Sequence, residues 1–384
     1  MFSLSDYTYN IPPDLIAQES VHPPHDARMM VIDRNTGKII DETTFWNLDT
    51  YLGKDRILFF NDSRVIRSRI ILKNIPFKTS NNSEWTINGE IFYLWNNDET
   101  TFDALVRPGT KFKIGTIFEI GEYTIEVLEM TETGRKLKLK GWDIASFLEK
   151  NGTLPLPPYI KYTTEKEADY QTVFAKNDWS VAAPTASLHF TRELIEKIQC
   201  QKEYLTLHIG LWTFKWIQTP DIRDYIIHSE RVELSLDIFQ KIANIKNSGK
   251  KIVAVGTTAT RTLESLPYLW KKLDMRCISI FDAKTRKYWN NITAHIKDCN
   301  SINNPTIIWD YTSVHFDTSI YITPGYEFQI IDDLITNFHI SESSLLVLVS
   351  AFLGKNETKS IYNQAIKKWY RFYSFGDGMY IRWK

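Results

Sequence analysis

The sequence predicts a mixed α/β protein in which a small antiparallel β domain interrupts a larger α/β domain, and three observations carry this. Residues 251–264, Lys-Ile-Val-Ala-Val-Gly-Thr-Thr-Ala-Thr-Arg-Thr-Leu-Glu, read as a buried strand that ends at Gly256 and a helix that begins near Thr258. From 85 to 141 the texture shifts to short alternating segments separated by Gly and Asn-Asp turns, the pattern of a small barrel or sandwich. Leu154-Pro155-Leu156-Pro157-Pro158 then forms a stiff, extended stretch, after which the α/β texture resumes. These shifts place the larger domain at residues 1–66 and 154–384 and the insert at 67–153.

Size and charge bound the rest. A chain of 384 residues with 43% apolar residues has material for two domains and a sizeable core. Lys plus Arg and Asp plus Glu are both 46, so no global basic field advertises nucleic acid, and any RNA contact must be local. Cys200, Cys277 and Cys299 are odd in number and far apart, without the close pairs of a zinc site or disulfide framework, which points to a reducing cytoplasm. The first ten residues lack a signal-peptide pattern, and the apolar run 345–353 is too short to span a bilayer, so a soluble protein is expected.

Taken in order, residues 6–11 alternate loosely until Pro12-Pro13-Asp14, and Leu15-Ile16-Ala17-Gln18 read as one or two helical turns. Residues 29–33 and 57–60 are buried strands by their short apolar runs, with 41–52 mixed and helical near Phe45-Trp46-Asn47-Leu48. The insert offers strands at 87–95, 101–106, 111–114, 116–120, 123–130 and 136–140, with Lys136, Lys138 and Lys140 on one solvated face. Residues 205–209 form a further strand carrying His208. The polar stretch 269–316 reads as an elaboration that the core fold does not need. A turn at 321–326, a helix signal at Ser341-Glu342-Ser343-Ser344 before an apolar helix ending at Gly354, helical residues 365–369 and a strand at 380–383 complete the chain.

Ser180 to Thr191, Ser-Val-Ala-Ala-Pro-Thr-Ala-Ser-Leu-His-Phe-Thr, is small and uncharged, which lets backbone approach a ligand while Thr185, Ser187 and His189 offer hydrogen bonds. Thr191 is placed to cap the following helix. A core loop with a satisfied histidine gives the same pattern. His228 and Glu230, two apart, would share a face of an extended strand and suit a hydrogen-bonded proton-transfer pair. No His-x-His or His-x-x-x-His spacing links His189, His208 and His228, so no metal is expected. The helix start at Thr257 and Thr258, with Arg261, is suited to a carboxylate or phosphate, but without a full Gly-x-Gly-x-x-Gly pattern it is no dinucleotide site. Arg64, Arg67 and Arg69 follow a strand end and suit phosphate, as would a solvated edge strand. Lys367, Lys368 and Arg371 interleave with aromatics in a mixture that can stack bases and hold phosphates, or simply close an aromatic core. A hydrolase would need a Gly-x-Ser-x-Gly elbow, and none is present.

These blocks together resemble the S-adenosylmethionine:tRNA ribosyltransferase-isomerases of queuosine biosynthesis. The resemblance runs from Asp6 to Ile381 through Phe60-Asn61-Asp62-Ser63-Arg64-Val65-Ile66, Tyr170 to Ala175, Ser180 to Thr191, Leu205 to Gly210, His228-Ser229-Glu230, Ala254 to Glu264, Thr323-Pro324-Gly325-Tyr326, Leu334 to His339, Leu348 to Phe352 and Tyr370 to Asp377. It implies a discontinuous three-layer α/β/α domain with an inserted β-barrel. It also implies transfer and isomerisation of the ribosyl part of S-adenosylmethionine, as co-substrate with no other cofactor, onto 7-aminomethyl-7-deazaguanine in tRNA, giving epoxyqueuosine, adenine and methionine. On that basis His189, or His228 with Glu230, would move protons, and Thr257, Thr258 and Arg261 would take the methionine carboxylate. Thr185, Ser187, Asn337, His339, Arg371 and Asp377 would line the substrate, with Arg64, Arg67, Arg69, Lys367 and Lys368 on RNA and the enzyme acting as a monomer. The chain departs from the family at Ser187 and Trp212, both glycine there, and in having no lysine in Ile340-Ser341-Glu342-Ser343. A catalytically silent RNA-binding relative is therefore the alternative.

Overall fold

The computed structural model describes residues 2–78, 84–141, 143–210, 216–272, 308–309 and 313–383. Its contacts divide the chain into two compact units: Met1–Ser63 with Pro157–Asn177 and Ala183–Lys384, and Arg64–Leu156 with Asp178–Ala182.

In chain order the strands are β1 (Arg28–Asp33), β2 (Lys38–Thr44), β3 (Arg56–Asn61), β4 (Ser63–Val65), β5 (Arg69–Lys78), β6 (Glu84–Asn96), β7 (Thr101–Arg107), β8 (Ile117–Ile120) and β9 (Tyr123–Met130). They continue with β10 (Arg135–Lys140), β11 (Asn177–Ser180), β12 (Gln201–His208), β13 (Glu230–Ser235), β14 (Lys251–Val255), β15 (Ile308–Trp309), β16 (Ser313–Thr318), β17 (Asp333–Asn337) and β18 (Gly378–Arg382). The larger unit is built on a ten-stranded mixed sheet of order β15-β16-β13-β12-β3-β14-β17-β18-β1-β2. Its centre is parallel, β12 on β3, β3 on β14 and β14 on β17, while β18 runs antiparallel to β17.

Both faces of this sheet are buried, as the sequence period requires. Met29, Val31, Leu58, Phe60, Val253, Val255 and Tyr380 share one core with Leu48, Leu52, Leu194 and Ile198. Their strand neighbours Met30, Ile32, Ile57, Phe59, Ile252, Ala254 and Met379 point the other way by the two-residue period and are equally buried. Near-continuous apolar strands are what a sheet covered on two sides needs. Helices at Arg192–Lys197, Leu236–Asn247, Thr257–Lys272, Ser344–Leu353 and Lys355–Lys367 belong to this unit. Among the described residues no helix is long and apolar enough to cross a membrane.

The smaller unit is a closed barrel of order β10-β7-β6-β5-β8-β9, its interior filled by Ile70, Ile91, Phe102, Ile125 and Leu137 among others. The insert is thus a barrel, not a sandwich. Residues 111–114 are no strand, a 3-10 turn at Gly109–Lys111 taking their place, and β5 is the strand the alternation at 85–141 did not include. β4 and β11 pair as a separate ribbon.

Other expectations shift for local reasons. Residues 38–44 are a strand beside β1, with only short helical turns at Phe45–Asn47 and Asp49–Leu52. The residues 15–18 expected as helix lie at the end of a 3-10 turn, Pro13–Leu15. The stretch 269–316 is not wholly an elaboration, because β15 and β16 extend the large sheet beyond β13. Residues 273–307 and 310–312 of it lie outside the described residues.

One buried carboxylate organises a long connection. Glu264, fully buried on the helix after β14, accepts the backbone N–H groups of Gln329, Ile330 and Ile331 at 2.9 Å each and the Tyr326 hydroxyl at 2.9 Å. It therefore fixes the chain that feeds β17. A buried anion with four donors is stable only while all are aimed at it. Glu264→Gln places an amide N–H against those donors and should lower unfolding free energy by about 2 to 4 kcal/mol. Urea denaturation checks this, and an unchanged midpoint would mean the four donors find other acceptors.

Candidate functional site

The larger unit gathers four sequence-distant stretches near the ends of its central strands. After β14, Gly256 takes φ +92°, a left-handed conformation, and a Cβ there would stand 3.6 Å from the Ala186 Cβ. This close approach puts the helix start at Thr257 and Thr258 against the 3-10 turn Thr185–His189. From β17 come Asn337 and, just beyond, His339. The fourth stretch is the tight loop Arg371 to Asp377, where a Cβ on Gly376 would come within 2.5 Å of the Arg371 carbonyl oxygen.

His189 is buried and stacks on Phe45, ring centroids 4.0 Å apart. Its Nε2 lies 3.1 Å from the Asn337 Oδ1. The Asn337 amide nitrogen donates to the carbonyls of Tyr373 at 2.9 Å and Ser374 at 3.2 Å, so its oxygen must face the imidazole. The neutral ring therefore carries its proton on Nε2. Burial lowers the His189 pKa to about 4; acceptors at Asn337 and the Pro24 backbone oppose this, and the Arg371 charge adds to it. His339 hydrogen-bonds Thr336 Oγ1 through Nε2 at 2.7 Å, and burial lowers its pKa to about 3.

A pocket beside these residues is lined by Tyr159, Thr185, Asn337, His339, Tyr373 and Ser374, with Ser343 and apolar side chains. The Tyr159 hydroxyl bonds the Ser374 hydroxyl at 2.7 Å, and the Tyr159 and Tyr373 rings are 4.9 Å apart. Tyr373 holds φ +73°, a strained conformation for a bulky residue, of the sort that collects where structure is tied to function. Neither Tyr159 nor Tyr373 is singled out by the sequence as a pocket residue, because nothing in an aromatic's local pattern says which cavity its ring walls. The Ser187 hydroxyl is fully buried without a partner among the described residues.

Several expected ligands turn out to be spent elsewhere. Arg261 is buried in an ion pair with Glu230 and also reaches the Ile320 carbonyl, so its charge is cancelled and it is no free arm for a carboxylate. Glu230 in turn accepts the Gly210 N–H at 3.0 Å. His228 is exposed, and the strand begins only at Glu230, so the alternation that would place His228 and Glu230 on one face does not apply. Asp377 accepts the backbone N–H of Arg28 at 3.0 Å and of Arg371 at 2.8 Å; burial raises its pKa. Arg371 bonds the Glu19 carbonyl through Nη1, lies 3.8 Å from Asp377, and buries Nη2 without a partner among the described residues. Thr191 caps its helix as expected, accepting the Leu194 N–H at 3.3 Å.

The basic residues fall in two groups. In the smaller unit Arg64 lies 3.7 Å from Asp178, Arg67 lies 3.7 Å from Glu149, and Arg69 donates twice to Glu90 at 2.9 and 2.8 Å. In the larger unit Lys367 and Lys368 are exposed, with Lys368 paired to Glu42, and Trp369 between them and Tyr370 is exposed as well. The Trp212 position lies outside the described residues. Among those residues no group of three or more His, Cys, Asp or Glu side chains is placed to hold a metal.

The chain matches known proteins over its whole length. Residues 4–381 match the family described as queuosine biosynthesis protein. A relative from Halothermothrix orenii, named S-adenosylmethionine:tRNA ribosyltransferase-isomerase, is 38% identical over 98% of this chain and 99% of its own. One of the same name from Clostridioides difficile is 35% identical over 98% and 99%. A crystal structure titled S-adenosylmethionine tRNA ribosyltransferase from Thermotoga maritima is 28% identical, covers 98% of this chain and 99% of that one, and has a TM-score of 0.49.

Two outcomes test the geometry. Arg261→Ala leaves the buried Glu230 carboxylate without its cationic partner and should destabilise the fold by about 3 to 5 kcal/mol, partly recovered by adding Glu230→Gln. Full stability in the single variant would return Arg261 to the role of a free ligand arm. The second outcome concerns pH. The folded pKa of His189, about 4, is below its ordinary 6.5, so the unfolded chain takes up the proton first. Its stabilisation is complete above about pH 6.5 and is lost as pH falls toward about 4, by up to about 1.4 kcal/mol per pH unit. His208 and His339 act in the same direction, and Asp62 and Asp377, both raised, in the opposite one. The difference between parent and His189→Gln in urea titrations therefore isolates His189: the variant should lose less stability over that window, and parallel curves would mean the ring takes a proton equally well folded and unfolded.

Proposed function

The chain belongs to the queuosine biosynthesis protein family, and from that premise we propose that it transfers and isomerises the ribosyl moiety of S-adenosylmethionine onto 7-aminomethyl-7-deazaguanine in tRNA, giving epoxyqueuosine-tRNA, adenine and methionine. The observation that carries this is the end-to-end match to relatives named for that activity, 38% and 35% identical. Nothing in the comparisons favours the inactive alternative.

The site supports specific roles. The free N–H groups and positive dipole end of the helix that begins at Thr257, with the Thr257 and Thr258 hydroxyls, suit the methionine carboxylate without help from Arg261. Thr185, half-buried in the pocket wall, and Ser187, with an unspent hydroxyl, offer hydrogen bonds to substrate. The unpartnered Nη2 of Arg371 adds a donor with charge. His189 is a poor proton acceptor near pH 7, since a base works best with a pKa near the operating pH and its own is about 4. Its Nε2–H is spent on Asn337, so it acts through that amide, which does line the pocket. The chemistry calls for no metal or further organic cofactor, S-adenosylmethionine being co-substrate. Action on tRNA as a monomer in the cytoplasm is part of the same proposal, with Arg64, Arg67, Arg69, Lys367 and Lys368 contacting RNA.

The test is direct. Purified full-length protein, tRNA carrying 7-aminomethyl-7-deazaguanine and S-adenosylmethionine should release adenine in step with loss of the modified tRNA's primary amine. Thr258→Val, which keeps volume and removes the hydroxyl, should raise the KM for S-adenosylmethionine by about tenfold, the worth of one hydrogen bond to a charged group. Binding of tRNA without adenine release would establish the silent relative instead.

A further inference from the structure

Asn337 was expected among the substrate's polar neighbours, yet every hydrogen bond its side chain makes is to the protein. The oxygen takes the His189 Nε2–H, and the nitrogen gives both its protons, to the Tyr373 and Ser374 carbonyls. An amide offers two donors and one acceptor oxygen, so neither proton is left for a ligand. What this amide holds is the one bulky residue of the pocket wall with a left-handed backbone, Tyr373 at φ +73°. Such a conformation costs of order 1 to 3 kcal/mol and persists only when its surroundings over-determine it. The surroundings here are the two bonds from Asn337, the Tyr373 N–H to the Phe338 carbonyl at 3.0 Å, and the Gly376 N–H to the Tyr373 carbonyl at 3.1 Å. The strained residue carries a ring 4.9 Å from that of Tyr159, and the Ser374 and Tyr159 hydroxyls hydrogen-bond each other at 2.7 Å.

We propose that Asn337 is a positioning residue: it clamps the Tyr373–Ser374 turn so that the Tyr159 and Tyr373 rings wall the pocket as a seat for S-adenosylmethionine, and His189 holds the clamp in its working orientation. The assignment of that ligand rests on the activity proposed above; the clamp itself does not. Without the His189 N–H, the Asn337 amide has no group to distinguish its two orientations from that side, and a flipped amide would set its oxygen against two carbonyls. The imidazole's place in the small-residue stretch is thereby given a task that needs no titration.

The experiment compares Asn337→Ala and the milder Asn337→Ser with the parent in two readouts. Steady-state adenine release should show the KM for S-adenosylmethionine rising by about tenfold in Asn337→Ala and less in Asn337→Ser, while the KM for tRNA stays within about twofold. A general loss of structure would move both KM values together, and that outcome would overturn the positioning role. Amide hydrogen exchange of the intact proteins should show residues 371–377 exchanging about tenfold faster with the central strands unchanged. Parental protection of that segment in both variants would overturn the clamp. If Asn337→Ala fails to fold, Asn337→Ser carries both comparisons. If the parent itself releases no adenine, the activity proposal fails, and hydrogen exchange still decides the clamp while the ligand assignment falls with the activity.

Discussion

The Asn337 side chain ties together three stretches that are far apart in sequence: the turn carrying His189, the end of β17, and the loop after Tyr370. The central sheet ends here in polar residues because its interior is so apolar. Buried strands on both sides leave no water to satisfy a strand-end amide or the carbonyls of a sharply turned loop, so each must find a protein partner. One amide, with both its donors used and its oxygen facing the imidazole, meets three such needs at once. A carboxylate in its place would repel the two carbonyls, and an apolar residue would orphan all three groups.

The same logic recurs at four buried carboxylates of this unit. Glu264 collects three backbone N–H groups and a tyrosine hydroxyl; Asp333 receives Arg56 at 2.6 Å, the Tyr380 hydroxyl at 2.8 Å and the Trp383 N–H at 2.8 Å. Asp377 takes two backbone N–H groups, and Asp62 takes the Thr206 hydroxyl at 2.7 Å with Asn177 at 3.3 Å. These carboxylates act as staples for irregular backbone more than as partners in simple ion pairs. That is also why Arg261 could be mistaken for a ligand: a cation near a helix start, five residues past Gly256, looks free until its partner Glu230 is known.

Much of the architecture was legible. Strand β14 and its helix follow from an apolar run, a glycine and paired threonines, and β1, β3 and β18 from short apolar runs with polar borders, whereas β17 was not read as a strand. Alternation alone showed a small antiparallel unit, barrel or sandwich, and the resemblance chose the barrel; β5 was missed because Arg69, Lys73 and Lys78 masked it as a charged stretch. The strand at 38–44 was obscured because, beside β1, its face is largely exposed and carries Asp41 and Glu42. The site was less legible. Local sequence was enough for the cap at Thr191 and the strand end at Gly256, but the partners of His189, Arg261 and Asn337 lie 148, 31 and 36 residues away. No spacing rule reaches those distances, and the resemblance supplied residues without saying which hydrogen bonds they spend.

The electrostatics of the site fit a cationic substrate. A sulfonium carries a fixed positive charge, and a protonated imidazole about 6 Å from it would cost about 3 kcal/mol at an effective dielectric of about 20. Burial keeps both His189 and His339 neutral near pH 7, which removes that penalty. Arg261 is cancelled by Glu230, and Arg371 is offset by Asp377 3.8 Å away, so neither guanidinium leaves a full uncompensated charge in the unit. The attraction left for an anionic group comes from the helix start at Thr257, whose partial charge is fixed in direction and confined to the first turn. A zwitterionic amino acid end beside a sulfonium asks for that arrangement: a weak, directional positive site for the carboxylate, and neutral, hydrogen-bonding walls around the charge that drives the leaving groups.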